Sequence, residues 1–369
     1  MTHDSRLTTH DYFMPAEWER HTATLLAWPH NKADWPGKFA PIPWVYAEMI
    51  RALTRHERVM LLVRHAKDEN AARDVLERAG PNLAKVDFYH IPTNRIWMRD
   101  SGPIWVGKNT ILDFRFNAWA KYPNHLLDDK IPQKLAALLS LRANEENAAI
   151  QKSSKQWIAS SQAPRNDIRI IQPTHKGKRV VLEGGSIDVN GKGLLLTTEE
   201  CLLSKKQCRN PGFTAADYEE VFAKYLGIKK VIWLDKGIVG DDTHGHVDDI
   251  ARFVNANTIV TVVERNKRDA NYALLQENLK RLKKTGLNII ELPMPNPVIF
   301  EGERLPASYA NFLIANKQVL VPTFNDVNDR IALNILADCF PGRDIVPIYC
   351  GDFIWGLGTI HCASQQVPL

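Results

Sequence analysis

Five side chains in this sequence combine reactive chemistry with a suggestive setting. Cys362 follows WGLGTIH (355–361), where Gly356 and Gly358 permit close backbone approach and His361 stands immediately before the sulfur. A cysteine attacks only as its thiolate, so a nucleophile needs a histidine nearby and a loop that exposes it. Of the five cysteines, Cys362 fits best: Cys201 (TTEECLLS) and Cys339 (LADCFP) read as packing residues, Cys350 ends an apolar run, and Cys208 lies in a loop. The alternative for Cys362 is a buried structural cysteine. Asp100 in IWMRDSG (96–102), Glu183 in VVLEGGS (180–186), and His246 and Asp248 in THGHVDD (243–249) are polar residues where apolar strands should begin. Burying such groups is costly unless they are paired. Convergence on one cavity would give them a purpose. Singly, Asp100 also reads as an ion-pair partner of Arg99, Glu183 as a turn acceptor, and His246 as a core histidine.

HGHVD (244–248) has a metal-ligand reading as well. On a strand His244, His246 and Asp248 would share one face, and the run resembles the HxHxDH motif of the metallo-β-lactamase superfamily. Asp249 stands where that motif has its last histidine, and no second ligand cluster accompanies it. No metal is therefore expected.

The elements that must position these residues recur along the chain. GPIWVGKNTILDFRF (102–116), GGSIDVNGKGLLLTT (184–198), IARFVNANTIVTVVE (250–264) and NFLIANKQVLVPTF (311–324) each place a Gly/Asn/Lys turn between two apolar runs. Their turns fall near 108, 191, 256 and 316, and helix-like segments follow at 125–140, 213–226, 267–285 and 326–340. Such a period suggests a repeat architecture. An N-terminal strand (22–29), a helix (43–56) and a strand (58–64) add a further unit, which GTIHCASQQ (358–366), read as a strand, would close into a ring of five. An ordinary α+β sandwich is the alternative. The polar stretch 143–169 is an excursion between elements, no Gly/Ser or Pro-rich linker divides the chain, and residues 1–369 read as one domain.

Composition bounds the function. With 47 Lys and Arg against 42 Asp and Glu in 369 residues, net charge is +5 and the basic residues are scattered, so no nucleic-acid partner is expected. Neither an apolar leader nor a run of eighteen apolar residues occurs, and the five separated cysteines suggest no disulfide framework. The expected setting is the cytoplasm, without membrane contact.

Taken together, these stretches resemble the agmatine deiminases and bacterial-type peptidylarginine deiminases of the guanidine-modifying pentein superfamily. The resemblance rests on MPAEWERHTATLLAWP (14–29), IWMRDSGPIWV (96–106), FRFNAW (114–119), EGGSIDVNGKGLLLTTEECLL (183–203), HGHVDDIARF (244–253), ASYANFLIANKQVLVP (307–322) and GTIHCASQQ (358–366). It implies a five-bladed α/β propeller of ββαβ units around a central cavity, and a cofactor-free hydrolase of a small guanidinium substrate such as agmatine. Cys362 matches the nucleophile, His246 the proton carrier, Asp100 and Asp248 the guanidinium-binding carboxylates, and Glu183 the carboxylate that orients His246. Trp97, Gly184, Gly185, Trp18 and Glu17 are secondary substrate-binding candidates, with Asp34 a further contributor to the rim. Leu357 and Thr359 replace a glycine and an asparagine common in GGGNIHC, and His244 stands where asparagine is frequent. These departures leave agmatine, peptidylarginine and free arginine open as substrates. Amidino transfer to an amine is a remoter reading, as is a non-catalytic pentein-fold binding protein. A homodimer is compatible with the family, and the sequence leaves the oligomeric state open.

Overall fold

Each turn cluster folds its two apolar runs back on one another, and the helix that follows returns the chain for a parallel third strand. The computed structural model describes residues 12–107, 109–141 and 168–369. Asp188–Val189 pairs antiparallel with Leu194–Thr198, which pairs in parallel with Lys230–Leu234. The same order recurs in Ala251–Asn255, Thr258–Val263 and Asn288–Pro293, and in Leu313–Ala315, Gln318–Thr323 and Asp344–Tyr349. Ile104–Trp105, Thr110–Leu112 and Arg169–Ile171 form a shorter version. Position 108 and most of the 143–169 excursion lie outside the described residues.

The fifth sheet is assembled from both ends of the chain. His21–Ala27 pairs in parallel with Arg58–Val63, which pairs with Val86–His90, while the antiparallel place beside His21–Ala27 is taken by Ser364–Pro368. This strand starts later than the 358–366 reading. Residues before Ser364 form turns, Leu357 adopts a left-handed φ of 68°, and Cys362 sits at the end of that turning segment. Gly358 is tightly enclosed in this segment: a Cβ there would lie 2.9 Å from the Trp97 ring, closer than real Cβ atoms pack.

Crossover helices lie close to the predicted segments: 131–141, Ala215–Leu226, Asn271–Lys283 and Asp329–Cys339, with Ile42–Leu53 in the N-terminal unit. Ala215–Leu226 shows why. Thr214 and Asp217 cap each other's backbone N–H groups, Gly227 ends the helix at φ 70°, and Tyr218, Val221, Phe222 and Tyr225 turn one apolar face inward. Loss of such an N-cap costs roughly 1 kcal/mol. Among the described residues no helix is long and apolar enough to cross a membrane.

Candidate active site

The polar residues singled out above all fall in one structural slot, the one to five residues ahead of the first strand of a sheet. Asp100 is in the single-turn helix Met98–Ser101 before Ile104, Glu183 caps Gly184–Ser186 before Asp188, and Asp248 is in Val247–Asp249 before Ala251. The fourth and fifth sheets have Asn311 before Leu313 and Cys362 before Ser364. Equivalent slots point at one floor. Asn311 was the omission, although it is the first residue of the fourth hairpin run and so occupied the informative position.

On that floor Asn311 Nδ2 lies 3.0 Å from Cys362 Sγ and 2.9 Å from Asp249 Oδ1, and Thr359 Oγ1 donates to Asn311 Oδ1 at 2.7 Å. Asp248 Oδ2 is 3.8 Å from the sulfur, while Asp248 Oδ1 is buried with no hydrogen-bond partner. Burial, then the charges of Asp248, Asp249 and Asp100, push the Cys362 thiol well above its ordinary value. Burial likewise raises Asp249, and the adjacent Asp248 adds to it.

Asp100 accepts from Gly185 N–H at 3.1 Å and from Trp119 Nε1 at 3.0 Å. It forms no ion pair with Arg99, whose guanidinium reaches Gln366 Oε1 at 2.6 Å instead. Burial raises Asp100 to about 6 against the opposing pull of His246. The His246 ring is fully buried, with Nδ1 3.7 Å from Asp100 Oδ1 and Nε2 3.9 Å from Glu183 Oε2. Burial alone would lower it, but Asp100 and its other neighbours hold it well above the ordinary histidine range. Burial would raise Glu183, but Arg209, 3.0 Å away, and His246 bring it down to about 2. Gly185 explains EGG: a Cβ there would lie 2.5 Å from His246 Nδ1 and 2.8 Å from Asp100 Oδ1. Gly184 similarly has no room for a side chain against the Arg99 carbonyl.

Cys362 and Asp100 open on one cavity of about 580 Å³. Its wall carries Trp97, Trp119, Tyr122 and Trp355, with Asp34, Asp242 and Glu303 as acidic groups and Arg95 and Arg304 as basic ones. Both arginines are engaged, Arg95 by the Asn124 carbonyl at 2.9 Å and Arg304 by Asp269 at 2.8 Å. Asp34 is raised to about 6, chiefly by burial. Trp119 belongs to a left-handed turn in which Ala118, Trp119 and Ala120 have φ of 50°, 58° and 54°. Left-handed backbone costs about 1–2 kcal/mol per non-glycine residue, and here it aims the indole N–H at Asp100. FRFNAW carried this residue, but left-handed backbone leaves no periodic signal.

Three expectations are corrected. Glu17 does not line the cavity: it is buried beneath it and bonded to Arg252 at 2.6 Å. Trp18 is also outside, half-buried against the core, with its carbonyl accepting from Arg343. HGHVD is not a strand. His244 takes a left-handed φ of 66° and turns its ring to Ser204 Oγ at 3.1 Å, so His244, His246 and Asp248 do not share a face. Among the described residues the groupings within metal-ligand reach are instead Glu183, Cys201 and His246, and Asp248, Asp249 and Cys362.

The chain is similar to known proteins over nearly its whole length. A cysteine-to-serine variant of C. jejuni agmatine deiminase with substrate bound is 29% identical, covering 99% of this chain and 98% of that one with a TM-score of 0.80. Agmatine deiminase of Enterococcus faecalis is 28% identical over 97% and 96% of the two chains, TM-score 0.79. A provisionally named agmatine deiminase of Selenomonas ruminantium is 33% identical over all of this chain and 99% of its own. The family model of the Porphyromonas-type peptidyl-arginine deiminases matches residues 13–368, and the chain belongs to that family.

Proposed function

We propose that the protein hydrolyses the guanidinium group of agmatine to N-carbamoylputrescine and ammonia, as a cofactor-free step of polyamine synthesis. The observation that carries this reading is the single cavity onto which Cys362 and Asp100 open behind an aromatic and acidic wall. In this reading Asp100, on the cavity wall, and Asp248, buried beside Cys362 with an unpartnered Oδ1, accept the guanidinium N–H groups. Binding that cation offsets the carboxylates that hold the Cys362 proton, so the thiol gives its proton to solvent and the thiolate forms as substrate arrives, His246 keeping its own proton for the next step. Its sulfur attacks the guanidinium carbon, and the tetrahedral adduct collapses as His246 gives a proton to the departing ammonia. An S-alkylthiouronium remains. His246 takes a proton from water as the oxygen bonds to the same carbon, the C–S bond breaks with its electrons returning to sulfur, and the ureido product leaves. Glu183, anchored by Arg209, orients His246.

Agmatine ends in an ammonium where peptidylarginine has a neutral amide N–H, and it has only CH2 where peptidylarginine bears its carbonyl. Both wall arginines already have partners, and Asp242 is likewise taken up by Lys121 and Tyr122, so Glu303 and Asp34, the latter 3.7 Å from Arg95, are the acidic groups that suit the ammonium. Peptidylarginine deimination by the same residues is the second reading, favoured by the family's own description. We read the five sheets as blades of an α/β propeller and residues 1–369 as one domain. The shared strand order and the pairing of first strand with last support this. Five free cysteines suit a cytoplasmic protein, and a homodimer is our expectation for the assembly.

The test is release of ammonia and ureido product from agmatine, free arginine and an N-acylated arginine amide, with wild type and Cys362→Ala in parallel. Turnover of agmatine alone, abolished by the substitution, is expected. Preference for the arginine amide would move the function to protein modification, and full activity of the variant would remove Cys362 as nucleophile. Asp34→Asn should raise KM for agmatine about tenfold, the order of one charge-assisted hydrogen bond, with kcat little changed.

A further inference from the structure

Glu17 lies outside the cavity, yet two arginines and a histidine converge on it. Its Oε1 accepts from Ile314 N–H at 2.7 Å, and its Oε2 from Arg252 Nη2 at 2.6 Å and His361 Nε2 at 2.8 Å, with Arg99 Nη2 at 3.8 Å. The other nitrogen of His361, Nδ1, lies 2.7 Å from Asp248 Oδ2. An imidazole placed between two carboxylate oxygens can satisfy both only by donating from both nitrogens. Arg252 in turn donates through Nε to Asp188 at 2.6 Å and through Nη1 to the Phe312 carbonyl at 2.8 Å, so the second cation beneath the floor is also fully engaged.

We infer that Glu17 and His361 are positioning residues for the deimination, a buried relay that holds Asp248 ionised and turned so that its free Oδ1 meets the guanidinium. Asp248 Oδ2 is consumed by His361, and Oδ1 is the atom left over. Because His361 precedes Cys362, pinning its ring also limits where the sulfur can go. Several charged groups act on Asp248: His361, His246 and Arg252 favour its ionised form, and Asp249, Asp100 and burial oppose it. Removing the His361 proton donor takes away the first of the influences that favour ionisation. The carboxylate is then lost at higher pH than in the wild type.

The inference rests on the deiminase reading, so its test carries a readout independent of agmatine. Glu17→Gln and His361→Gln would be compared with wild type in kcat, KM and the pH dependence of kcat/KM on agmatine. Alkylation of Cys362 would be measured in parallel with 2-chloroacetamidine, an amidinium, and with neutral iodoacetamide. Wild type should prefer the amidinium reagent. In both variants that preference should fall at least tenfold, KM should rise more than kcat falls, and the acidic limb of kcat/KM should move to higher pH. Glu17→Asp should recover part of the loss. Unchanged reagent preference and an unmoved acidic limb in folded variants would overturn the relay, as would equal loss toward both reagents, the mark of a general structural role. If Glu17→Gln does not fold, His361→Gln decides on the same readouts. Failure of wild type to turn over agmatine while amidinium preference still depends on His361 would sink the agmatine assignment and leave the relay standing.

Discussion

Two sets of buried carboxylates lie within one floor and wall, and they titrate in opposite directions. Glu17 beneath the floor and Glu183 within it would be raised by burial, yet buried arginines hold both below the ordinary range, Glu183 at about 2. At the cavity, Asp100 and Asp34 have fewer cationic partners and burial lifts each to about 6. The chemistry of the group is the same, and the supply of fixed cations differs. The paired glutamates build, and the under-paired Asp100 and Asp34 wait for a cation, which a guanidinium substrate brings; Asp248, kept ionised by His361, joins the second set by position and the first by pairing.

Asp100→Asn puts the most strain on this comparison. Activity should fall at least a thousandfold, roughly 4 kcal/mol of transition-state stabilisation, while thermal stability is kept or improved because an under-paired buried charge is gone. A large loss of stability would mean that Asp100 belongs with the structural set. Arg209→Met is the converse. It strands Glu183 without its cation, and unfolding measurements should show a loss of about 3–5 kcal/mol.

A smaller effect follows the pH. Asp100, raised in the folded state, is destabilising when charged, and that cost is relieved as pH falls through about 6. The melting-temperature advantage of Asp100→Asn over wild type should therefore be present at pH 7.5, shrink as pH falls through about 6, and vanish only below the ordinary value of 3.8. Glu183 behaves oppositely: its contribution is present above its ordinary value of 4.5 and is lost as pH falls towards 2. Agmatine competes with the proton on Asp100, so its apparent Kd by calorimetry should rise as pH drops from 7 to 5. The smallest expected effect is at the Trp119 turn. Ala120→Gly removes left-handed strain and should stabilise the protein by about 0.5–1 kcal/mol, with activity unchanged so long as the indole still reaches Asp100.

Much of this arrangement was legible in one dimension. Alternation broken by Gly/Asn/Lys clusters located the four hairpins, because turn chemistry is local, and the helices followed from apolar spacing. Asp100, Glu183, His246, Asp248 and Cys362 stood out because polar residues at strand starts break the apolar pattern. The resemblance to guanidine-modifying enzymes supplied their roles. Less legible were the residues whose meaning depends on distance in space. Glu17 and Trp18 looked like rim residues beside Asp34, but Glu17 is drawn under the floor by Arg252, 235 positions away in sequence, and by His361, 344 away.

What the sequence determined alone was the inventory and its order: hairpins, crossover helices, and the reactive or polar residues Asp100, Glu183, His246, Asp248 and Cys362 at the edges of apolar runs. Those follow from short-range rules of turn formation, amphipathicity and capping. What tertiary structure decided was which carboxylates would be saturated and which left under-paired, that His244 turns away while His246 turns in, and that Ser364–Pro368 pairs with His21–Ala27 to bring Cys362 over Asp248. Coulomb energy and burial depend on separation and solvent access, and neither exists until the chain has closed on itself.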